Sequence, residues 1–131
     1  MQHVPVLLQE VLAALQPHAG GRYVDATVGL GGHAREVLAA SEPDGELLGI
    51  DLDPHALQIA RVRLESFGGR AHLVQGASSA LQAEARKLGW KQVDGILMDL
   101  GLSSLQLDSG ERGFPFKWKR HWTCALIRRR R

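Results

Sequence analysis

Residues 23–34 read YVDATVGLGGHA, a short apolar strand at Tyr23–Ala26 that contains Asp25, then a turn rich in glycine, then a pattern typical of a helix. Glycines at such a turn let the backbone approach a ligand closely at the N-terminus of the following helix. The next apolar run, Leu47–Ile50, leads directly into Asp51. A strand, a glycine turn, a helix and a second strand with an acid at its tip indicate an open α/β sheet.

The same alternation of apolar strands and helical patterns continues on both sides of this stretch. The apolar runs lack the period-two alternation of a half-exposed strand, so we expect a parallel sheet covered on both faces. The predicted fold class is therefore α/β, a Rossmann-like domain with about four strands. The remaining predicted elements are a helix at Val6–Leu15, a helix at His33–Ala40, a helix from Pro54 to Phe67, and strands at Ala71–Val74 and Val93–Leu100.

Two helix starts carry capping signals. Asp53 followed by Pro54 is a favourable N-cap and first-turn pair. Ser79 with Gln82 three residues later resembles a capping box and predicts that the next helix begins there.

The length and composition are those of one ordinary globular domain. The chain has 131 residues, of which 44% are hydrophobic and 23% charged. Its single cysteine, Cys124, excludes an internal disulfide framework and a Cys-rich zinc site, so no metal is expected. No apolar run reaches the ~18 residues of a membrane span, and the N-terminus lacks signal-peptide features. We therefore expect a cytoplasmic protein.

The charge is unevenly distributed along the chain. The sequence pI is about 9.0, but seven Lys and Arg and no acid lie from Lys117 onward. Residues 1–116 carry nine basic and fourteen acidic residues, a net charge of about −5. Composition therefore predicts a domain at 1–116 and a basic tail at 117–131.

The glycine turn and Asp51 together indicate an adenosine cofactor. An acid about twenty residues after the turn, at the tip of the neighbouring strand, accepts both ribose hydroxyls in such sites. The turn lacks the GxGxxG order of dinucleotide sites, and Asp25 would repel a pyrophosphate. These features favour S-adenosylmethionine over NAD, while an NAD-binding oxidoreductase half and a purely structural turn stay open.

These residues and others resemble a known family along most of the chain. The similarity is to bacterial small-subunit ribosomal RNA cytosine-N4 methyltransferases of the RsmH (MraW) type. The motifs that carry it are HVPVLLQEVL at 3–12, YVDATVGLGGHA at 23–34, GIDLDPHAL at 49–57, VDGILMDLGLSSLQLD at 93–108 and ERGFPF at 111–116.

The resemblance implies transfer of a methyl group from S-adenosylmethionine to the N4 amine of a cytidine in 16S rRNA of the small ribosomal subunit. Where the family has an aromatic residue, as in Gly-Pro-Phe-Ser, this chain has Gly-Ala-Ser-Ser at 76–79. The resemblance implies a weaker adenine contact at that position. The implied cofactor-binding residues are Gly31, Gly32, His33, Asp51, Ser78, Asp99 and Gln106.

Asp99 is also the candidate catalytic residue. It lies at the carboxyl end of the fourth predicted strand, where open α/β sheets place their ligands. Its carboxylate would align the cytosine amine and stabilise charge developing on nitrogen. Cofactor contact alone, or a simple cap at the end of the strand, are the alternatives.

The tail at 117–131 departs from the family. After GFPF the family continues through Gly-Pro-Leu-Asp-Met-Arg, which the tail does not contain. If the codons for residues 121–123 are read from the third base of His121, they encode Leu-Asp, as in that family motif. This agreement predicts a frame change near Phe116 and a non-native tail. A genuine basic arm for nucleic acid is the alternative. A frame change would leave Val93–Leu100 as an exposed sheet edge, and we expect self-association and little methylation. A chain that binds cofactor without catalysis is therefore the second functional hypothesis.

Overall fold

The computed structural model describes residues 8–100 and 123–128, with side chains over residues 8–98. Five parallel strands form one sheet in the order β3-β2-β1-β4-β5. The sheet confirms the predicted parallel α/β class. The strands are β1 (Arg22–Asp25), β2 (Glu46–Asp51), β3 (Ala71–Gln75), β4 (Gly95–Leu100) and β5 (Thr123–Arg128).

Helices cover both faces of the sheet. Buried residues of the first three helices pack against Tyr23, Leu47 and Leu97 on one face. The fourth helix packs with Trp90 on the other face, against Val24 and its neighbours. The helices are α1 (Leu8–Leu15), α2 (Gly32–Ala40), α3 (Pro54–Arg63) and α4 (Leu81–Lys87). Covering both faces explains why the strands are continuous apolar runs.

The prediction that β4 is an exposed edge is wrong. Residues Thr123–Arg128 pair with β4 along its whole length, from Gly95 opposite Thr123 to Leu100 opposite Arg128. The charge of the tail predicts only a basic segment. The tail also contains the apolar run Cys-Ala-Leu-Ile at 124–127, and such residues favour a strand. The predicted self-association through a β4 edge therefore loses its structural basis.

The two capping predictions have different outcomes. Asp53 is the N-cap of α3, and its Oδ1 accepts a hydrogen bond from the His55 N–H at 2.9 Å. The capping box at Ser79 is wrong, because a 3-10 turn at Ser78–Ala80 precedes α4 and the N-cap is Ala80. A second 3-10 turn, Glu65–Arg70, follows α3 and contains Phe67, which the sequence placed in the helix.

The amino ends of the strands carry a buried phenol. The Tyr23 hydroxyl accepts a hydrogen bond from the His18 N–H at 2.9 Å. Burial raises the pKa of Tyr23 above 10.0, the nearby Asp94 carboxylate raises it further, and the His18 hydrogen bond acts in the opposite direction. This cluster lies at the sheet edge opposite the predicted cofactor site.

No helix within residues 8–100 and 123–128 is long and apolar enough to cross a membrane.

Candidate functional site

The carboxyl ends of the parallel strands place polar residues along one edge of the sheet. Asp25, Asp51 and Gln75 are the last residues of β1, β2 and β3. On the far side of β1, Asp99 is the penultimate residue of β4, and the register pairs it with Ile127. Since β1 lies at the centre of the sheet, these positions surround the loop that follows it. This edge is the usual ligand site of an open α/β sheet.

Asp51 is bonded directly to the glycine turn. Its Oδ2 accepts a hydrogen bond from the Gly29 N–H at 2.8 Å, and its Oδ1 accepts one from the Asp53 N–H at 2.9 Å. Each carboxylate oxygen has two acceptor positions, so each retains one for a ligand hydroxyl. The predicted proximity of the turn and Asp51 is thereby confirmed, and the carboxylate is fixed in orientation.

The loop after β1 is anchored to both neighbouring strands. The Ala26 N–H donates to the Leu97 carbonyl of β4, and the Val28 N–H donates to the Ile50 carbonyl of β2, each at 2.9 Å. Asp25 is only 2% exposed, and its Oδ1 accepts a hydrogen bond from the Thr27 N–H at 3.1 Å. These bonds fix the start of the glycine turn to its neighbouring strands.

Gly31 has a left-handed backbone and lies against α3. Its φ of +85° is one that residues with a side chain rarely adopt. The sequence assigned the glycines of this turn to close approach of a ligand, but at Gly31 the direction in which a side chain would extend is occupied by α3. A Cβ at Gly31 would lie 3.3 Å from the Ala60 Cβ and 3.7 Å from Leu64 Cδ1, so the space belongs to α3. The glycine permits close packing between the N-terminus of α2 and α3.

The other predicted site residues are arranged around this turn. Gly32 and His33 begin α2, and both are half-buried. Ser78 begins the 3-10 turn after β3 and is also half-buried, at the same edge of the sheet. The structure describes the backbone of Asp99, and Gln106 lies outside the described residues. The predicted site residues that the structure describes therefore lie at one edge of the sheet.

One candidate site residue, Leu52, was not predicted from the sequence. It directly follows Asp51, and its side chain is 68% exposed. An apolar side chain exposed beside a bonded carboxylate offers a surface to a flat apolar ring. The signal was available in the sequence, because Leu52 is the apolar residue between two aspartates in Asp-Leu-Asp.

The described part of the chain contains no group of three or more His, Cys, Asp or Glu residues placed to hold a metal ion. The polar groups at this edge are a carboxylate, which accepts hydrogen bonds, and backbone amides, which donate them, with an apolar side chain beside them. That combination suits the sugar and ring of a nucleoside.

Comparison with known proteins decides the family. The family model described as the MraW methylase family matches residues 1–122. The chain belongs to the MraW methylase family.

Curated relatives agree with this assignment. Over 115 residues the chain is 56% identical to "Ribosomal RNA small subunit methyltransferase H" of Desulfovibrio desulfuricans, covering 88% of this chain and 35% of the relative. The protein of the same name from Symbiobacterium thermophilum is 51% identical over 114 residues, covering 87% of this chain and 36% of the relative. The chain thus spans about a third of the length of these MraW methylase relatives.

Solved structures match the fold. An RNA methyltransferase from Salinibacter ruber in complex with S-adenosyl-L-homocysteine has a TM-score of 0.59 and 14% identity, with coverage of 76% of this chain and 61% of the other. Aeropyrum pernix fibrillarin with natively bound S-adenosyl-L-methionine has a TM-score of 0.55 and 18% identity, with coverage of 69% and 41%. The chain therefore has the Rossmann-like fold of these solved structures.

Proposed function

We propose that this chain binds S-adenosylmethionine at the carboxyl edge of its sheet and serves methyl transfer to the N4 amine of a cytidine in 16S rRNA. The observation that carries the proposal is the Asp51 carboxylate, held by the Gly29 N–H at 2.8 Å beside the glycine turn. The family and the names of the curated relatives support the reaction and the small-subunit rRNA partner.

The residues at the edge fit an adenosine. Asp51 retains one acceptor position on each oxygen, which matches the two hydroxyls of a ribose. Leu52 would cover one face of the adenine, and Ser78 would lie near the ring without the area of an aromatic side chain. Gly32 and His33, at the first turn of α2, would contact the methionine part, together with Gly31.

S-adenosylmethionine supplies an electrophilic methyl group on a sulfonium. The contribution of the protein is placement, because holding the nucleophile at near-attack distance from the methyl accelerates an in-line transfer. A cytosine amine is a weak nucleophile, since its lone pair is delocalised into the ring. We assign Asp99 the role of aligning that amine. We also assign to Asp99 and Gln106 contacts with the cofactor in its pocket.

Titration of the full chain with S-adenosylmethionine, S-adenosylhomocysteine and NAD by calorimetry tests the cofactor. We expect saturable binding of the first two and none of NAD. Saturable binding of NAD alone would contradict the proposal and favour the oxidoreductase alternative.

Methyl transfer needs a separate assay. Incubation with small-subunit particles that lack the modification, followed by nucleoside analysis, would show N4-methylcytidine if the chain is active. Cofactor binding without this product would support the second candidate, a chain that binds cofactor but does not catalyse transfer.

The domain assignment is likewise a proposal. We place the cofactor-binding domain at 1–116 and treat 117–131 as a tail produced by a frame change, on the basis of the composition shift at Phe116 and of the shifted codons at 121–123. The tail nevertheless contributes Thr123–Arg128 to the sheet as the neighbour of β4. Sequencing the gene tests this: an intact frame without the downstream motif would remove the frame change.

A further inference from the structure

The side chain of Gln75 forms a hydrogen bond with the loop that follows Asp51. It is the last residue of β3 and pairs in register with Asp51 at the end of β2. The Gln75 Nε2 donates a hydrogen bond to the Leu52 carbonyl at 3.3 Å. The next residue, Gly76, donates its N–H to the Asp51 carbonyl at 2.9 Å. The end of β3 therefore holds two successive carbonyls of the loop after β2.

The Leu52 carbonyl belongs to the peptide that also holds the Asp51 carboxylate. That peptide joins Leu52 to Asp53, and its N–H donates to Asp51 Oδ1 at 2.9 Å. A peptide unit is planar, so fixing the direction of its carbonyl also fixes the direction of its N–H. The bonds form a chain from the Gln75 amide, through one rigid peptide, to the carboxylate.

The second carboxylate oxygen is fixed independently, because Oδ2 accepts the Gly29 N–H at 2.8 Å. Gly29 comes from the glycine turn, whereas the Leu52–Asp53 peptide comes from the loop after β2. Two oxygens held from two separate loops define the plane of the carboxylate. Loss of either bond would let that plane rotate about the Asp51 side chain, which would misdirect the acceptor positions.

We propose that Gln75 is a positioning residue for cofactor binding, which orients the Asp51 carboxylate toward the ribose through the Leu52–Asp53 peptide. The inference rests on the proposed function. The Gln75 side chain donates to the Leu52 carbonyl and is exposed, so removing it should leave the core of the sheet intact. Its effect is on orientation, and it should appear only with ligands that use the carboxylate.

The test is a comparison of two ligands in two variants. For Gln75→Ala we expect S-adenosylhomocysteine to bind about three- to ten-fold more weakly than to the unmodified chain. We expect no change for the 2′,3′-dideoxy analogue of the same ligand, which has no ribose hydroxyls to present. Gln75→Glu, which replaces the donor by a carboxylate facing a carbonyl, should weaken S-adenosylhomocysteine at least as much. Gln58→Ala, an exposed glutamine on α3, is the matched control.

A ligand-free measurement separates this inference from the proposed function. The exchange rate of the Asp53 amide hydrogen should rise about three- to ten-fold in Gln75→Ala, because the peptide loses its anchor. An unchanged Asp53 exchange rate, or equal weakening of both ligands, would overturn the positioning role. Faster Asp53 exchange in a chain that fails to bind S-adenosylhomocysteine would support the positioning and contradict the proposed function.

Discussion

Asp51 and Gly29 lie 22 positions apart in the sequence, and the Oδ2 of Asp51 accepts a hydrogen bond from the Gly29 N–H at 2.8 Å. The bond joins the tip of β2 to the turn after β1, so the two parts of the proposed adenosine site are one rigid unit. The Val28 N–H bond to Ile50 in the same loop strengthens this connection. In the proposed site the principal acceptor is therefore oriented by hydrogen bonds within the protein.

Replacement of Gly31 by alanine should destabilise the fold through two separable effects. The φ of +85° disfavours any side chain, and the new Cβ would press against Ala60 at 3.3 Å. We expect a loss of about 1–3 kcal/mol in the free energy of unfolding, measured by urea denaturation.

Two other glycines serve as controls for Gly31→Ala. Gly89 has a φ of +81°, close to that of Gly31, and a Cβ added there would meet no atom within 4 Å, while Gly69 has open space around it and a φ outside the left-handed region. Gly89→Ala should cost only the backbone term, about 1 kcal/mol, and Gly69→Ala should be nearly neutral. A loss for Gly31→Ala no larger than for Gly89→Ala would contradict the packing against α3.

Much of this arrangement follows from local sequence signals. Apolar runs predicted all four strands up to Leu100, and Asp53 before Pro54 predicted the start of α3. The packing of Gly31 on Ala60 could not be predicted, since the two residues are 29 positions apart and their contact depends on how α2 and α3 cross. The Ser79 capping box failed because α4 begins after a 3-10 turn with no side-chain cap at Ala80. The pairing of β5 with β4 is also non-local, and an interpretation of the tail from its charge alone misses it.

Leu52→Ala should weaken S-adenosylmethionine binding with little effect on stability. The side chain is 68% exposed, so the fold gains little from it, whereas an adenine resting on it would lose apolar contact. We expect a loss of about 1 kcal/mol in binding free energy by calorimetry. Val62→Ala is the matched control, since Val62 is 72% exposed on α3. Equal affinities for the Leu52 and Val62 variants would remove Leu52 from the site.

The stability of the chain should fall in alkaline solution because of Tyr23. Burial raises the pKa of this phenol in the folded state above 10.0, so the unfolded chain releases the proton first. The contribution of the neutral phenol is complete below pH 10.0 and is lost as the pH rises through the folded-state pKa. Tyr23 is the only tyrosine, so tyrosinate absorbance reports this group alone.

Tyr23→Phe isolates that effect from the titration of other groups. At neutral pH the variant should be about 0.5–1.5 kcal/mol less stable, because the His18 N–H loses its acceptor. Above pH 10 the difference from the unmodified chain should shrink, as measured by urea denaturation at several pH values. A difference that stays constant from neutral to alkaline pH would show that the phenol titrates alike in both states.

The most direct test of the central claim is the affinity of Asp51→Ala for S-adenosylmethionine, measured by calorimetry beside Asp44→Ala. Asp44 is an exposed aspartate in the turn between α2 and β2, away from the carboxyl edge of the sheet. We predict that Asp51→Ala loses about 1–3 kcal/mol of binding free energy, because the ribose hydroxyls lose a charged acceptor, and that Asp44→Ala binds normally. Equal affinities for a folded Asp51→Ala and Asp44→Ala would contradict the assignment of Asp51 to the ribose and, with it, the proposed site.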